Sequence, residues 1–364
     1  MEYIVYCFLY LWCVFNGLLF RHIFKCRKNK LEFFSIYIPM FLVSAFRSVN
    51  VGADTGGYLN KYKEISQQEL LASMDVNHEP GYVIFNKILS FVSCNEQILL
   101  VASSFVVIFG IGMFCYKYSN GFYLSTLLFL GLGLYPYYFT PIRQAMSIPF
   151  LLWGMHYLYC GNRYKCIIFV LLATTFHYSA ALFLLLPLFY PYNIKKVFFM
   201  LMTLTCTGTF LYYTGVEYLD LLQYTRYAGY ATGIYAEGVD PGLGVVRIFM
   251  FFMLTCVSLY VVARKKNDEE KQIQQEYYIL TIICYMGTWM VFLGYSFPFL
   301  ARYDVSFWPF TFLLVPLAYD DLKYAKNILV YPLIAICLTL YMWAMYYLRG
   351  MPEVKYKDIF GLFT

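Results

Sequence analysis

The chain has 364 residues, 61% of them hydrophobic and only 13% charged, with a formal net charge of +6 and a mean hydropathy of +0.59. Soluble globular chains carry about 25% charged residues, so this composition excludes a soluble enzyme and reads as an all-α, polytopic transmembrane helical bundle, a single integral membrane domain over residues 1–364. The basic residues are scattered between apolar runs and form no single patch, which excludes nucleic acid as a partner.

In chain order, apolar runs of roughly 16–21 residues, long enough to cross a core of about 30 Å with local thinning for the shorter ones, fall near 2–20, 31–46, 96–116, 122–140, 142–160, 197–214, 243–263, 277–297, 303–318 and 328–348. The first lacks a basic leader and has its positive flank after it, so it reads as a retained span and not a cleaved signal. Arg21, Lys25, Arg27, Lys28 and Lys30 then mark a cytoplasmic loop, as do Arg163 with Lys165, Lys195 with Lys196, Arg264 to Lys266, and Lys323 with Lys326. Segment 80–93 is short and carries Asn86 and Lys87. It reads as an amphipathic helix on the outer leaflet. The 26-residue run Cys166 to Pro191 holds no Lys, Arg, Asp or Glu. Counted as one span, it inverts every later loop. Counted as a hairpin of two short helices, near 165–176 and 178–191, it keeps all the basic clusters inside and puts His177 at the outer tip. The positive-inside rule favours the hairpin, giving about twelve membrane segments with both termini outside. The eleven Cys show no CxxC spacing and read as packing residues. The 39 Tyr and 35 Phe supply interfacial belts and core, with a surplus of Tyr that suits sugar binding.

This topology leaves two larger outer loops, near 47–95 and 215–242. The first runs from Arg47 through Gly52, Asp54, Thr55, Gly56 and Gly57 to Tyr58, a turn before a helix expected over Tyr58 to Glu69. Asp54 or Thr55 would cap that helix in the bland reading, and Arg47 would snorkel at the interface. Arg143 opens an apolar helix behind Pro141, Arg226 and Tyr227 sit in the second loop, and Arg302 and Tyr303 lie between two spans. Each alone reads as an anchor. Yet Arg143, Arg226 and Arg302, which the topology puts on the face of His177, are all Arg and not Lys. A guanidinium grips phosphate oxygens bidentately, so the set points to an anionic, phosphorylated substrate. A lone imidazole in a membrane-grade run is expensive unless it faces a cavity or a polar partner.

The ordered set Arg47-x4-Gly52-x-Asp54-x3-Tyr58, Glu79-Pro-Gly81-Tyr82, Ile142-Arg143-Gln144, Phe176-His177-x-Ser179-Ala180, Tyr224-x-Arg226-Tyr227 and Arg302-Tyr303 resembles the EpsG family of bacterial polysaccharide-repeat polymerases, related in role to the Wzy O-antigen and capsule polymerases. The resemblance implies an enzyme of the bacterial plasma membrane, acting at its outer face. It would join undecaprenyl-pyrophosphate-linked oligosaccharide repeats into surface polysaccharide, with membrane lipid, chain-length regulators and flippases as candidate partners. The acceptor hydroxyl would attack the donor's anomeric carbon while lipid pyrophosphate leaves. Arginines suit that leaving group, and His177 or Asp54 would serve as base, with an orienting hydrogen bond as the other role for His177. His177, Asp54 and Arg143 are thus the catalytic candidates. Arg47, Tyr58, Arg226, Tyr227, Arg302 and Tyr303 are the substrate-binding ones. No HExxH, DxD or paired His appears, so neither metal nor cofactor is expected. A ligase-type glycosyltransferase would show a similar set, whereas a flippase or transporter would line a path through the bundle.

Overall fold

The structure is a computed structural model that describes residues 3–20, 29–74, 78–119, 121–214, 241–264, 271–297, 300, 302–322, 330–344 and 355–360. Among these residues the regular structure is helical and contains no strand. The chain divides into two compact units. One comprises Met1–Trp153, Ile168–Ala181 and Lys323–Thr364, the other Gly154–Ile167 and Leu182–Leu322. Among the described residues, four helices have the length and apolar composition to cross a bilayer: Gln97–Tyr118, Ile194–Thr214, Gly244–Arg264 and Gln272–Leu293. The protein is an all-α polytopic membrane protein.

The first unit is tied together by ring stacking and hydroxyl pairs, which suit a medium that offers no water to backbone or side chain. Helices Ile4–Leu18 and Lys30–Ala45 pack with Phe122–Gly131. Phe33 stacks on Tyr37 at 4.9 Å, and Tyr37 Oη meets Thr126 Oγ1 at 3.1 Å. Ser44 and Ser104 pair at 2.7 Å, and Ser119 and Ser125 at 2.6 Å. In the second unit Pro241–Arg264 runs against Lys271–Leu293, with Ser258 bonded to Thr281 at 2.6 Å. The Ile194–Thr214 helix leaves Phe198, Phe199, Met202 and Phe210 exposed, a face fit for hydrocarbon and not for water.

Several expected spans differ in detail. The run 122–140 is broken, because the Phe122–Gly131 helix ends at Leu132 and Gly133 takes a left-handed φ of 71° before the short helix Leu134–Tyr137. Only Gly adopts that conformation without steric cost. The run 303–318 begins with 3-10 turns at Arg302–Ser306 and Trp308–Phe310, and its α-helix covers Thr311–Leu322. The helix expected from Tyr58 starts earlier, at Thr55–Gln67. Segment 80–93 forms the helix Pro80–Ser90, burying Tyr82, Val83 and Asn86 while Ile84 and Ile88 are exposed.

The run 166–191 is not one helix. Arg163–Phe176 stops at His177, and a 3-10 stretch Tyr178–Leu184 leads into Leu185–Phe189. Arg163 Nη1 donates to the carbonyl of Tyr190 at 3.2 Å. A continuous helix would hold residues 27 positions apart about 40 Å from each other, so the chain reverses within this run, as the hairpin reading expects. Lys196 Nζ, bonded to the carbonyl of Pro191 at 2.9 Å, belongs to the same hairpin base.

Candidate active site

His177 lies where the Arg163–Phe176 helix ends, and Phe176 fixes that end. Its ring stacks on Phe150 at 5.3 Å and meets Phe85 edge-on at 6.2 Å. Phe150 belongs to the Ile142–Tyr159 helix and Phe85 to Pro80–Ser90, so one aromatic clamp locates three helix segments around the imidazole. Gly81 makes the approach possible. A Cβ there would stand 2.3 Å from Thr175 Oγ1 and 2.8 Å from the Thr175 carbonyl oxygen, closer than any side chain tolerates. The residue just before Pro80, Glu79, is thereby brought to His177.

Glu79 is the hub of the site. One carboxylate oxygen, Oε1, lies 3.0 Å from His177 Nδ1. The other, Oε2, accepts from Arg143 Nη1 in a short ion pair. Its side chain is only 4% exposed, against 24% for Arg143 and 23% for His177. Burial opposes ionisation of Glu79, but the His177 hydrogen bond and the Arg143 charge outweigh it and hold the carboxyl down at about 2. Arg143 is further fixed by a hydrogen bond to Tyr58, and its guanidinium lies 5.7 Å from the Tyr58 ring centre and 5.9 Å from that of Tyr82. The two rings contact each other edge-on at 5.8 Å.

The loop that supplies Tyr58 is built onto the entry to the Arg143 helix. Gly52 has φ +91°, and a Cβ there would lie 2.6 Å from the Phe139 carbonyl oxygen. Ala53 N–H donates to Thr140 Oγ1 at 3.2 Å, and Thr55 Oγ1 donates to the carbonyls of Val51 at 2.7 Å and Phe139 at 3.3 Å. Asp54 occupies the N-cap position of Thr55–Gln67, yet its side chain makes no capping hydrogen bond. It is half-buried and acts electrostatically on Tyr58.

Chemically, an ionised Glu79 can only accept a hydrogen bond, so Nδ1–H of His177 donates to it. In the neutral imidazole the lone pair then resides on Nε2, the tautomer a general base needs. Glu79 also anchors one end of the Arg143 fork, at Nη1. Among the described residues, no three His, Cys, Asp or Glu side chains converge as a metal site would require.

The model of the EpsG family matches residues 30–357, most of the chain. The chain belongs to the EpsG family. That family comprises polysaccharide-polymerase-type membrane proteins. No curated protein and no solved structure matches this EpsG-family chain.

Of the residues singled out in the EpsG-family pattern, the structure brings Tyr58, Arg143 and His177 together, with Asp54 one helical turn from Tyr58. Arg226 and Tyr227 lie outside the described residues. Arg302 is exposed and Tyr303 half-buried in the second unit. Beside them Asp304, buried, accepts from Arg247 Nη1 at 3.1 Å and from Trp308 Nε1 at 3.2 Å. Arg47 does not snorkel. It is 2% exposed, with its guanidinium 4.6 Å from the ring centre of Phe139. Two functional candidates escape sequence reasoning. Glu79 stands there within the motif Glu79-Pro-Gly81-Tyr82 but with no role assigned to it, and Arg247 only as a cation inside an apolar run, which intramembrane cost alone should flag.

Proposed function

We propose that this EpsG-family protein polymerises lipid-pyrophosphate-linked oligosaccharide repeats at the outer face of the plasma membrane, through the Glu79–His177–Arg143 cluster. The observation that carries the reading is that one buried carboxylate engages both an imidazole and a guanidinium. Glu79 orients His177 so that Nε2 takes the proton from the acceptor hydroxyl as its oxygen bonds to the donor's anomeric carbon. The bond from that carbon to the pyrophosphate oxygen breaks, and the leaving lipid pyrophosphate gains a negative charge. Arg143, preorganised by Glu79, Tyr58 and Tyr82, stabilises that charge without reorganising. Tyr58, half-buried, offers a ring and a hydroxyl for the sugar, and Asp54 is the alternative base. Undecaprenyl is the lipid that the family role suggests. Arg302 and Arg226 are further candidates for contacts to the substrate, whereas Arg47, 2% exposed, is out of its reach.

The test is His177→Ala beside His177→Asn in purified, reconstituted protein, scored for polymer length, the single-repeat pool and protein abundance. A base contributes roughly 10²–10⁴-fold in rate, so His177→Ala should abolish long polymer and leave single repeats. Asn should fail too, because an amide cannot take the proton. Recovery by Asn would assign His177 an orienting role. Wild-type polymer per molecule in His177→Ala would refute the cluster as the site. Transfer of glycan to another acceptor without chain growth would indicate a ligase, and activity should persist in EDTA.

A further inference from the structure

Arg47 shares a sequence motif with Tyr58, yet at 2% exposure it cannot meet a substrate. Nor is its charge balanced. Among the described residues no carboxylate contacts it, and the groups that act on the guanidinium are the neutral phenols of Tyr135, Tyr6 and Tyr356. Apolar side chains that replace buried ionic groups are often neutral or stabilising, so stability does not account for a cation kept here.

Its contacts tie three segments together. Nη1 donates to the Ser44 carbonyl, at the end of the Lys30–Ala45 helix, and lies 3.4 Å from Ser104 Oγ, at the end of Gln97–Ser104. The guanidinium carbon stands 4.6 Å from the ring centre of Phe139, well within the range of a cation–π attraction, which strengthens where water is excluded. The segment 355–360 covers this region. Ser48 N–H donates to the Lys357 carbonyl at 2.8 Å, Ile359 N–H to the Phe46 carbonyl at 3.1 Å, and Tyr356 Oη to the Val43 carbonyl at 3.2 Å. Tyr135 meets the same Phe139 ring edge-on at 5.2 Å. A ring held from two sides leaves its own backbone little freedom, and that backbone is the floor of the Tyr58 loop. The Phe139 carbonyl accepts from Thr55 Oγ1 and would stand 2.6 Å from a Cβ on Gly52, while Thr140 Oγ1 accepts from Ala53 N–H. Two residues later, at Ile142, the Arg143 helix begins.

We infer that Arg47 is a positioning residue for the reaction. Through the Phe139 ring it fixes the backbone stretch that both leads into the Arg143 helix and seats the loop to Tyr58, and so it sets the contact of Tyr58 with Arg143. It touches no reacting group. Its part in the reaction rests on the Glu79–His177–Arg143 reading, whereas the seating of the loop does not, and the two are tested apart.

Loop seating is read in full-length protein without native Cys, carrying Ala53→Cys with Thr140→Cys. Residue 53 is exposed and residue 140 half-buried where their segments meet, so mild oxidation should join them. Arg47→Met should lose most of that link without lowering Tm, since it removes a buried charge that no carboxylate offsets. Phe139→Leu, which leaves the charge in place, should lose the link to the same extent. The double variant should be no worse than either, because both act through one contact. Phe139→Leu decides the matter if Arg47→Met fails to fold. In reconstituted protein Arg47→Met should lower turnover by up to about 10²-fold, the scale of a misplacement of roughly 1 Å. No link in the parent, an undiminished link in either variant, or additive losses in the double variant would overturn the assignment. A lowered Tm as the sole change in Arg47→Met would do the same, since it marks a merely structural residue. Normal polymer per molecule in Arg47→Met beside an inactive His177→Ala would overturn the part in the reaction. Normal polymer in both would strike the site reading instead and leave the seating role in place.

Discussion

Glu79→Gln is the sharpest perturbation of the proposed site, because it keeps the volume and removes only the charge. The carboxylate lies 3.0 Å from His177 Nδ1 and in direct contact with Arg143. The Glu79–Arg143 contact joins opposite charges, and such a pair is worth roughly 4 kcal/mol at about 4 Å and an effective dielectric constant near 20. The amide has one donor end and one acceptor end. If the NH2 faces His177, Nδ1 must accept, the ring proton moves to Nε2, and the base is lost. If the oxygen faces His177, the NH2 faces the Arg143 guanidinium and donor meets donor. Either way one function fails. A wrong-tautomer base costs up to about 10⁴-fold in rate, and loss of base function alone about 10²–10⁴-fold, equivalent to about 3–5 kcal/mol of transition-state stabilisation. Single-turnover polymerisation by reconstituted protein, normalised to inserted protein, measures this. Groups that act as a unit are non-additive, so Glu79→Gln with His177→Ala should be no slower than His177→Ala alone. Wild-type turnover in Glu79→Gln, or full multiplicative loss in the double variant, would refute the coupling of Glu79 to His177.

Gly81→Ala should push Pro80–Ser90 away from Thr175 and separate Glu79 from His177. Overpacking of this kind costs about 1–3 kcal/mol, visible as a lowered Tm together with lost polymer. The depressed Glu79 carboxyl, about 2 against an ordinary 4.5, adds stability that is fully present above pH 4.5 and is lost as pH falls from there toward 2. Acid unfolding followed by tryptophan fluorescence should show that loss in the wild type and a flatter acid limb in Glu79→Gln. Cysteines placed at 163 and 190 in a background without native Cys should be joined by a short bismaleimide, since Arg163 touches the Tyr190 carbonyl. Absence of the intramolecular link would return residues 166–191 to a single span.

The helices were legible because hydropathy and charge act over whole segments. The hairpin could be argued from Lys195, Lys196 and the cluster at 264–266, since a single span in its place would put all of them on the wrong side. What could not be read were single-residue events inside apolar runs, such as the break at Gly133, whose φ of 71° ends a helix that composition alone would carry on to residue 140. The site was half legible for a similar reason. His177 stood out as a titratable group in an apolar run, Arg143 at the head of an apolar helix and Tyr58 through its loop motif, but Glu79 is 64 residues from Arg143 and 98 from His177, and no local pattern spans such distances. Arg47 shows the opposite failure. Its position at a helix end suggested an interface anchor, and only the packing of residues 355–360 against 46–48 turns it into a buried cation.

The contacts of Glu79 also constrain topology without any charge count. A residue in hydrogen-bond contact with both Arg143 and His177 puts the loop before Pro80, the start of Ile142–Tyr159 and the end of Arg163–Phe176 at one membrane depth. The helix that begins at Arg143 and the helix that ends before His177 must therefore run in opposite directions through the bilayer.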